Sequence, residues 1–267
     1  MRPGVASSAL ALIALLLGCG ETPDEEAWNI AAISSPDGSQ VAFARSFRYY
    51  VNKASAFDPS GWEETVYEAI FVYIMDRSTG ELTKLTEAER DSGIFGISWE
   101  GDLIAYSRWD VIYVMRPDGS SRRPVFISTG KYGPSLPFTL SGDAQALFYL
   151  GMHPEYKLHS IRLDDELRES VDLNLEDLRY RSIHDMIWDS SRDRILLIEA
   201  SFDGSVPAIW ETNPDGTNLR RTDEGLSEYR RRRLGGFEFE TPFPELEKMT
   251  RDITYEEWGV PAPDEFE

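Results

Sequence analysis

The chain has 267 residues, 41% of them hydrophobic and 28% charged, with 27 basic against 47 acidic side chains and a formal net charge of −20. That acidity speaks against nucleic acid as a partner and against adhesion of the folded domain to anionic lipid. Seven Trp, twelve Tyr and thirteen Phe are more aromatic mass than a disordered chain carries, and the length allows one large all-β domain or two small ones.

Residues 1–18 follow the plan of an export signal: a basic Arg2, an apolar run over 9–17 and a small residue before Cys19. The run is shorter than the roughly 20 residues that span a bilayer, so it reads as a segment that is cut off. Leu16-Leu17-Gly18-Cys19 resembles the lipobox of bacterial lipoproteins. The resemblance implies cleavage before Cys19, acylation of its sulfur, and attachment of the mature chain to the cell envelope through its acyl chains, palmitate among them. Several chains matter, because each buried methylene contributes only about 0.8 kcal/mol. Gly20 stands where some lipoproteins carry the Asp of inner-membrane retention, which favours the outer membrane and a periplasm-facing domain. Removing Arg2 with the signal takes the net charge from −20 to −21. Cys19 is the only cysteine, so once acylated it leaves no thiol for disulfides, catalysis or metal. The polar residues 19–27 read as a tether.

From residue 28 the chain reads as a repeated four-strand unit. Its plainest hairpin is 110–126, where Val111, Tyr113 and Met115 alternate with Ile112, Val114 and Arg116, followed by a Pro117-Asp118-Gly119 turn and a returning strand. The first unit has a strand to Ile33, the turn Ser35-Pro36-Asp37-Gly38, an alternating strand from Val41 and, after an insertion over 45–66, strands over 69–76 and 81–86. The second covers 94–126, the third 138–163 with a further strand after Asp164-Asp165, and the fourth 185–222. Gly38, Gly101 and Gly142 lie 63 and 41 residues apart, and the excess of the first spacing matches the insertion. Spacings of about 40–50 residues are those of four-stranded propeller blades. An immunoglobulin-like sandwich would also give evenly spaced short strands, but not these recurring turns.

Ser35-Pro36-Asp37-Gly38 with Val41-Ala42-Phe43, Ser98-Trp99 with Ile104-Ala105-Tyr106, Ile112-Tyr113-Val114-Met115 with Asp118-Gly119, and Ile209-Trp210 with Asp215-Gly216 resemble the TolB-like, WD40-like repeat of bacterial β-propellers. The resemblance covers 28–222 and implies an all-β propeller of four-stranded antiparallel blades, four of them recognisable. Glu100-Gly101, Ser141-Gly142 and Ser191-Arg192 depart from the motif, and four blades are fewer than the six or seven usual in the family. The tail 223–267, with its Arg230–Arg233 run, Pro242, Pro244 and Pro261, fits no blade well and reads as an extension or a degraded fifth blade with strands over 236–240 and 252–258.

In such a blade the first and third turns share one face of the disc, and the second turn shares the other with the inter-blade links. The Asp-Gly turns fall on the first face. The second collects Tyr49, Tyr50, Phe57, Trp62, Trp109, Tyr132, His153 and Tyr156, a set of the kind that protein and glycan interfaces use. The competing reading is that the insertion folds over the rim and buries its own aromatics. Asp37, Asp118 and Asp215 sit between Pro and Gly as turn residues rather than ligands or acids. His153 is a loop residue, His159 falls in an alternating strand, and neither they nor His184 has a partner at metal spacing, so no metal and no cofactor is expected. The resemblance implies interaction: a lipid-anchored envelope propeller serving as a binding or scaffold module for another envelope protein, monomeric or completing its ring as a dimer. The alternative is a periplasmic propeller enzyme, a glycan or peptide hydrolase or lyase, since fold alone does not set function.

Overall fold

A computed structural model describes residues 22–55, 58–87, 89–90, 96–108, 111–127, 137–151, 157–164, 168–172, 183–199 and 208–234. Four antiparallel sheets form a four-blade β-propeller. Blade 1 comprises β1 (Thr22–Ser34), β2 (Gln40–Ser55), β3 (Asp58–Asp76) and β4 (Leu82–Lys84), with β5 (Glu89–Arg90) also paired to β3. Blade 2 is β6 (Ile97–Glu100), β7 (Leu103–Arg108), β8 (Val111–Met115) and β9 (Arg123–Ile127). Blade 3 is β10 (Phe138–Leu140), β11 (Ala146–Leu150), β12 (Lys157–Arg162) and β13 (Arg168–Asp172). Blade 4 is β14 (Ile183–Asp189), β15 (Arg194–Glu199), β16 (Ile209–Thr212) and β17 (Arg220–Arg221), and helix α1 (Leu226–Leu234) follows it.

Blades 2 and 3 lie between neighbouring blades and blade 4 between blade 3 and a helix, so second strands are covered on both faces: Ile104 to Ser107 and Ile195 to Ile198 are buried without interruption. The clusters alternate accordingly. Ile33, Val72 and Ile74 pack on Trp99, Ile104 and Met115 between blades 1 and 2. Ile112 and Val114 pack on Leu140, Leu147 and Ile161 between blades 2 and 3. Phe148 and Leu158 pack on Trp188, Leu197 and Trp210 between blades 3 and 4.

The repeat is also written across the strands. At one equivalent register position the second and third strands pair Phe43 with Tyr73, Tyr106 with Tyr113, Tyr149 with His159 and Leu197 with Trp210. The rings of Tyr106 and Tyr113 stack 5.4 Å apart with the Arg122 guanidinium over both, and those of Tyr149 and His159 stack at 4.7 Å. Such cross-strand pairs are the unit by which a sheet is stabilised.

The turns explain two of the motif departures. In blade 1 Gly38 N donates to Ser35 O, Ser35 N donates to Gln40 O, and Gly38 adopts φ 73°. Blade 3 builds the same turn from Ser141 to Ala146, with Ala144 at φ 56° in the glycine's place. In blade 2 Glu100 pairs directly with Leu103, so Gly101 and Asp102 form a two-residue turn.

Blade 4's far face, formed by Ile187, Leu196, Ile198 and Ile209, is covered by Tyr229 and Leu226 of α1, and α1 also touches β1 of blade 1. From there two arginines reach the opposite side of the axis. Arg232 donates to Trp99 O at 2.8 Å and pairs with the Glu100 carboxylate. Arg233 pairs with Asp185 on β14 and donates to Ile97 O on β6, so one guanidinium joins the inner strands of blades 2 and 4. Burial and the neighbouring Arg233 bring the Arg232 pKa down to about 10, which leaves it cationic at neutral pH.

Three expectations change. Residues 45–55 and 58–66 are strand rather than loop; they belong to β2 and β3, which stay paired with register shifts at Tyr49/Tyr50 and Lys53/Ser55. Residues 22–27, expected within the 19–27 tether, belong to β1, because the prolonged β2 offers them a backbone edge at Phe47–Asn52. The β1 strand thus begins before the propeller expected over 28–222, and the first part of the 223–267 extension carries the helix Leu226–Leu234. The strands expected over 236–240 and 252–258, like the signal over 1–18, lie outside the described residues.

Arg232 and Glu100 are both nearly inaccessible, so removing one leaves an uncompensated buried charge. Arg232→Met is expected to cost about 3–5 kcal/mol. Arg232→Met with Glu100→Leu should recover most of it, read as coupling in a double-mutant cycle of denaturant unfolding.

Candidate interaction faces

The hairpin brings three of the predicted binding residues onto one extension of blade 1. Tyr49 lies on β2 opposite Tyr67 of β3 and Glu25 of β1, Tyr50 opposite Thr65 and Asp24, and Trp62 on β3 opposite Lys53. The three strands run on together past the last β3 position paired to β5, so the extension is a continuous ladder. Phe57, Trp109, Tyr132, His153 and Tyr156, like Cys19, lie outside the described residues. The competing idea of a folded-over loop gives way to a strand extension, because long alternating segments on both sides of the hairpin satisfy each other's backbone groups.

On the other face the turn carboxylates bond their own loops. Asp37 accepts from Ser35 Oγ at 2.6 Å and Ser39 N at 3.0 Å. Asp76, Asp118, Asp143 and Asp215 accept from Ser78 N, Ser120 N, Gln145 N and Thr217 N at 2.8, 2.8, 3.1 and 3.0 Å. All five are held below the usual carboxylate range, Asp76, Asp118, Asp143 and Asp215 first by the hydroxyls of Ser78, Ser120, Ser141 and Thr217 and next by backbone N–H bonds, and Asp37 at about 2 through the Ser35 hydroxyl first and Ser39 next. Groups so acidic and so engaged cap turns; they are poor proton donors near neutral pH.

Blade 4 carries a charge cluster that no spacing announces. Glu211 on β16 is fully buried and accepts from Arg194 at 2.5 Å, Arg220 at 2.5 Å and Arg192 at 3.2 Å. Burial opposes its charge, yet Arg220, Arg194 and Arg192 outweigh that and hold its pKa below the ordinary value. Arg192 also pairs with Asp189 and Glu224, tying the blade's turns together. The only hint in the sequence is a Glu inside the apolar strand Ile209-Trp210-Glu211-Thr212.

A cleft of about 690 Å³ opens between the turns of blades 3 and 4. Ser141, Gly142, Asp143 and Gln145 form one wall, and Trp188, Ser190, Asp193 and Pro214 the other. Its floor is the Phe148 ring stacked on Trp188 at 5.8 Å. At other junctions Arg123 Nη2 donates to Leu163 O at 2.6 Å between blades 2 and 3, and Gly119 lies close to Leu85 O between blades 1 and 2. Among the described residues no group of three His, Cys, Asp or Glu is placed to hold a metal ion. His159 is stacked on Tyr149, and His184 is exposed.

Four meander sheets around one axis define the class of this protein as a four-blade β-propeller. No family model matches the chain, and no curated protein does. Solved structures similar to it include a protein of unknown function from Bacteroides thetaiotaomicron, at 8% identity and TM-score 0.44 over 75% of this chain and 50% of that one. A putative TolB from Agrobacterium tumefaciens aligns at 15% identity and TM-score 0.44 over 76% of this chain and 88% of its own. TolB from Acinetobacter baumannii aligns at 13% and 0.41 over 76% and 55%. The chain thus spans half the length of the Bacteroides protein, and the fold class rests on the strand topology itself.

The turn carboxylates set an acid limit. With an ordinary pKa of 3.8 and a folded value of about 2, Asp37 stabilises the fold above about pH 4, and that contribution is lost as pH falls toward 2. Carbon-13 carboxyl titration should place the Asp37 midpoint near 2. Ser35→Ala should move it upward while leaving Asp215 unchanged.

Proposed function

We propose that this protein is a lipid-anchored β-propeller of the cell envelope that acts as a protein-binding or scaffold module, with the blade 1 extension as its contact surface. The observation that supports the reading is the continuous three-stranded extension carrying Tyr49, Tyr50 and Trp62 on a rigid blade. Aromatic residues held by a scaffold lose little conformational freedom on association, which is why they concentrate in binding surfaces. The extension uses positions the blade repeat does not need, so it can change without disturbing the ring.

The anchor follows from the lipobox-like stretch ending in Cys19. Among the described residues no helix is long and apolar enough to cross a membrane. Acyl chains on Cys19 would hold the acidic domain at a bilayer that its surface charge does not favour.

Two measurements test the halves separately. Cys19→Ser should move the protein from the membrane to the soluble fraction and remove the acyl mass from the mature N-terminus; retention in the membrane fraction would refute the anchor. Replacing 49–67 with an Asn-Gly turn should abolish in-cell cross-linking to the envelope protein that the wild-type chain captures, with the melting temperature little changed. An unchanged cross-linking pattern would remove the extension from the interface.

A further inference from the structure

The cleft between blades 3 and 4 holds a polar group that the fold leaves unanswered. The Trp188 side chain is buried, the residue being 4% exposed, and its ring is fixed by the stack on Phe148. Its indole Nε1–H makes no hydrogen bond to a described residue and is open to the cleft rather than sealed in the core, so a ligand acceptor can reach it. That nitrogen lies at the cleft wall beside Gly142, where a Cβ would come within 2.5 Å of it. Blade 1 has Pro36 and blade 4 has Ser190 at the equivalent turn position, so the bare glycine of blade 3 keeps the indole nitrogen approachable.

Around this donor stand acceptors. Asp143 uses one carboxylate oxygen, Oδ1, for both Ser141 Oγ at 2.7 Å and Gln145 N at 3.1 Å, which leaves Oδ2 for a ligand. Asp193 lines the other wall in a left-handed backbone conformation, φ 55°, beside Ser190. Asp164 lines the cleft paired with Arg162 at 2.9 Å. A donor in the wall and carboxylates around it narrow the ligand chemistry. A phosphate or carboxylate would satisfy the indole N–H but meet Asp143 and Asp193, since Arg162, which also lines the cleft, is already matched by Asp164. An ammonium would satisfy the aspartates but has no lone pair for the indole. A hydroxyl group donates and accepts at once, and several on one apolar-faced ring would match both the rim and the Phe148, Ala146 and Pro214 surfaces.

We infer that this cleft is a binding site for a neutral saccharide, whose hydroxyls accept from Trp188 Nε1 and donate to Asp143 and Asp193. Its volume lies within the roughly 300–1,000 Å³ of small-molecule sites. The site is on the turn face and is independent of the blade 1 extension.

The test uses the full-length mature chain in detergent, with the Trp188 indole resonance and calorimetry as readouts. The probes are chitotriose, maltotriose and cellotriose, against tri-lysine and tri-galacturonate. At least one neutral trisaccharide should bind at millimolar concentration and shift the indole N–H. Trp188→Phe, which keeps a ring on Phe148, should weaken binding at least tenfold. Asp193→Asn, which suits the left-handed backbone, should weaken it several-fold with the melting temperature unchanged. Gly142→Ala should block it by crowding the nitrogen. Failure of all three neutral probes overturns the inference, as does preference for tri-lysine or tri-galacturonate, or binding that survives Trp188→Phe with its affinity intact.

Discussion

Two guanidinium groups near the axis hold this ring together. Arg232 and Arg233 carry α1 across from blade 4 to the carbonyls of β6 and the carboxylates of Glu100 and Asp185. A buried arginine needs its charge matched and acceptors for its donors; Glu100 matches that of Arg232, whose Nη2 bonds while Nε and Nη1 make no hydrogen bond among the described residues. The inner strand of a blade supplies such acceptors, because one edge of its backbone faces the axis rather than a neighbouring strand. The helix therefore does the work that a closing strand does elsewhere: it covers the last blade's apolar face with Tyr229 and Leu226 and ties the sheets on either side.

Given that closure, the places where the repeat departs from its motif gain a meaning. Glu100 stands at the end of β6, where blades 1 and 3 have the turn-forming Ser35 and Ser141, and it is the partner of Arg232. Gly142 replaces the turn proline and lies against Trp188. Asp189, at the blade 4 position of Ser35, Glu100 and Ser141, caps Ser191 at 3.0 Å and joins Arg192. Blades that look degenerate against the family pattern have exchanged a generic turn residue for a specific long-range or inter-blade contact.

The two faces of the disc are thereby separated in chemistry. Short turns rich in Asp, Ser and Thr engage their own carboxylates on one side, where a wedge opens between blades 3 and 4. On the other side blade 1 extends its strands, and the residues along it are set by pairing rather than by loop closure. The scaffold beneath is packed, since the second strands of blades 2 and 4 are buried on both faces and cannot shift without moving their neighbours.

The amino-acid sequence by itself determined the blades: alternation of period two, and Pro, Asp, Ser and Gly at the turns, act between residues a few positions apart and are legible locally. It also marked Tyr49, Tyr50 and Trp62 as notable, but read 45–66 as a loop, because polar and aromatic residues in mixed order conceal a strand until a partner edge is present. Tertiary structure alone decided that residues 22–27 pair with that strand, that three arginines converge on Glu211, and that Arg232 finds Glu100 across 132 positions. Those contacts depend on where the ring brings distant segments together, and no local spacing encodes the distance between two inner strands of a closed disc.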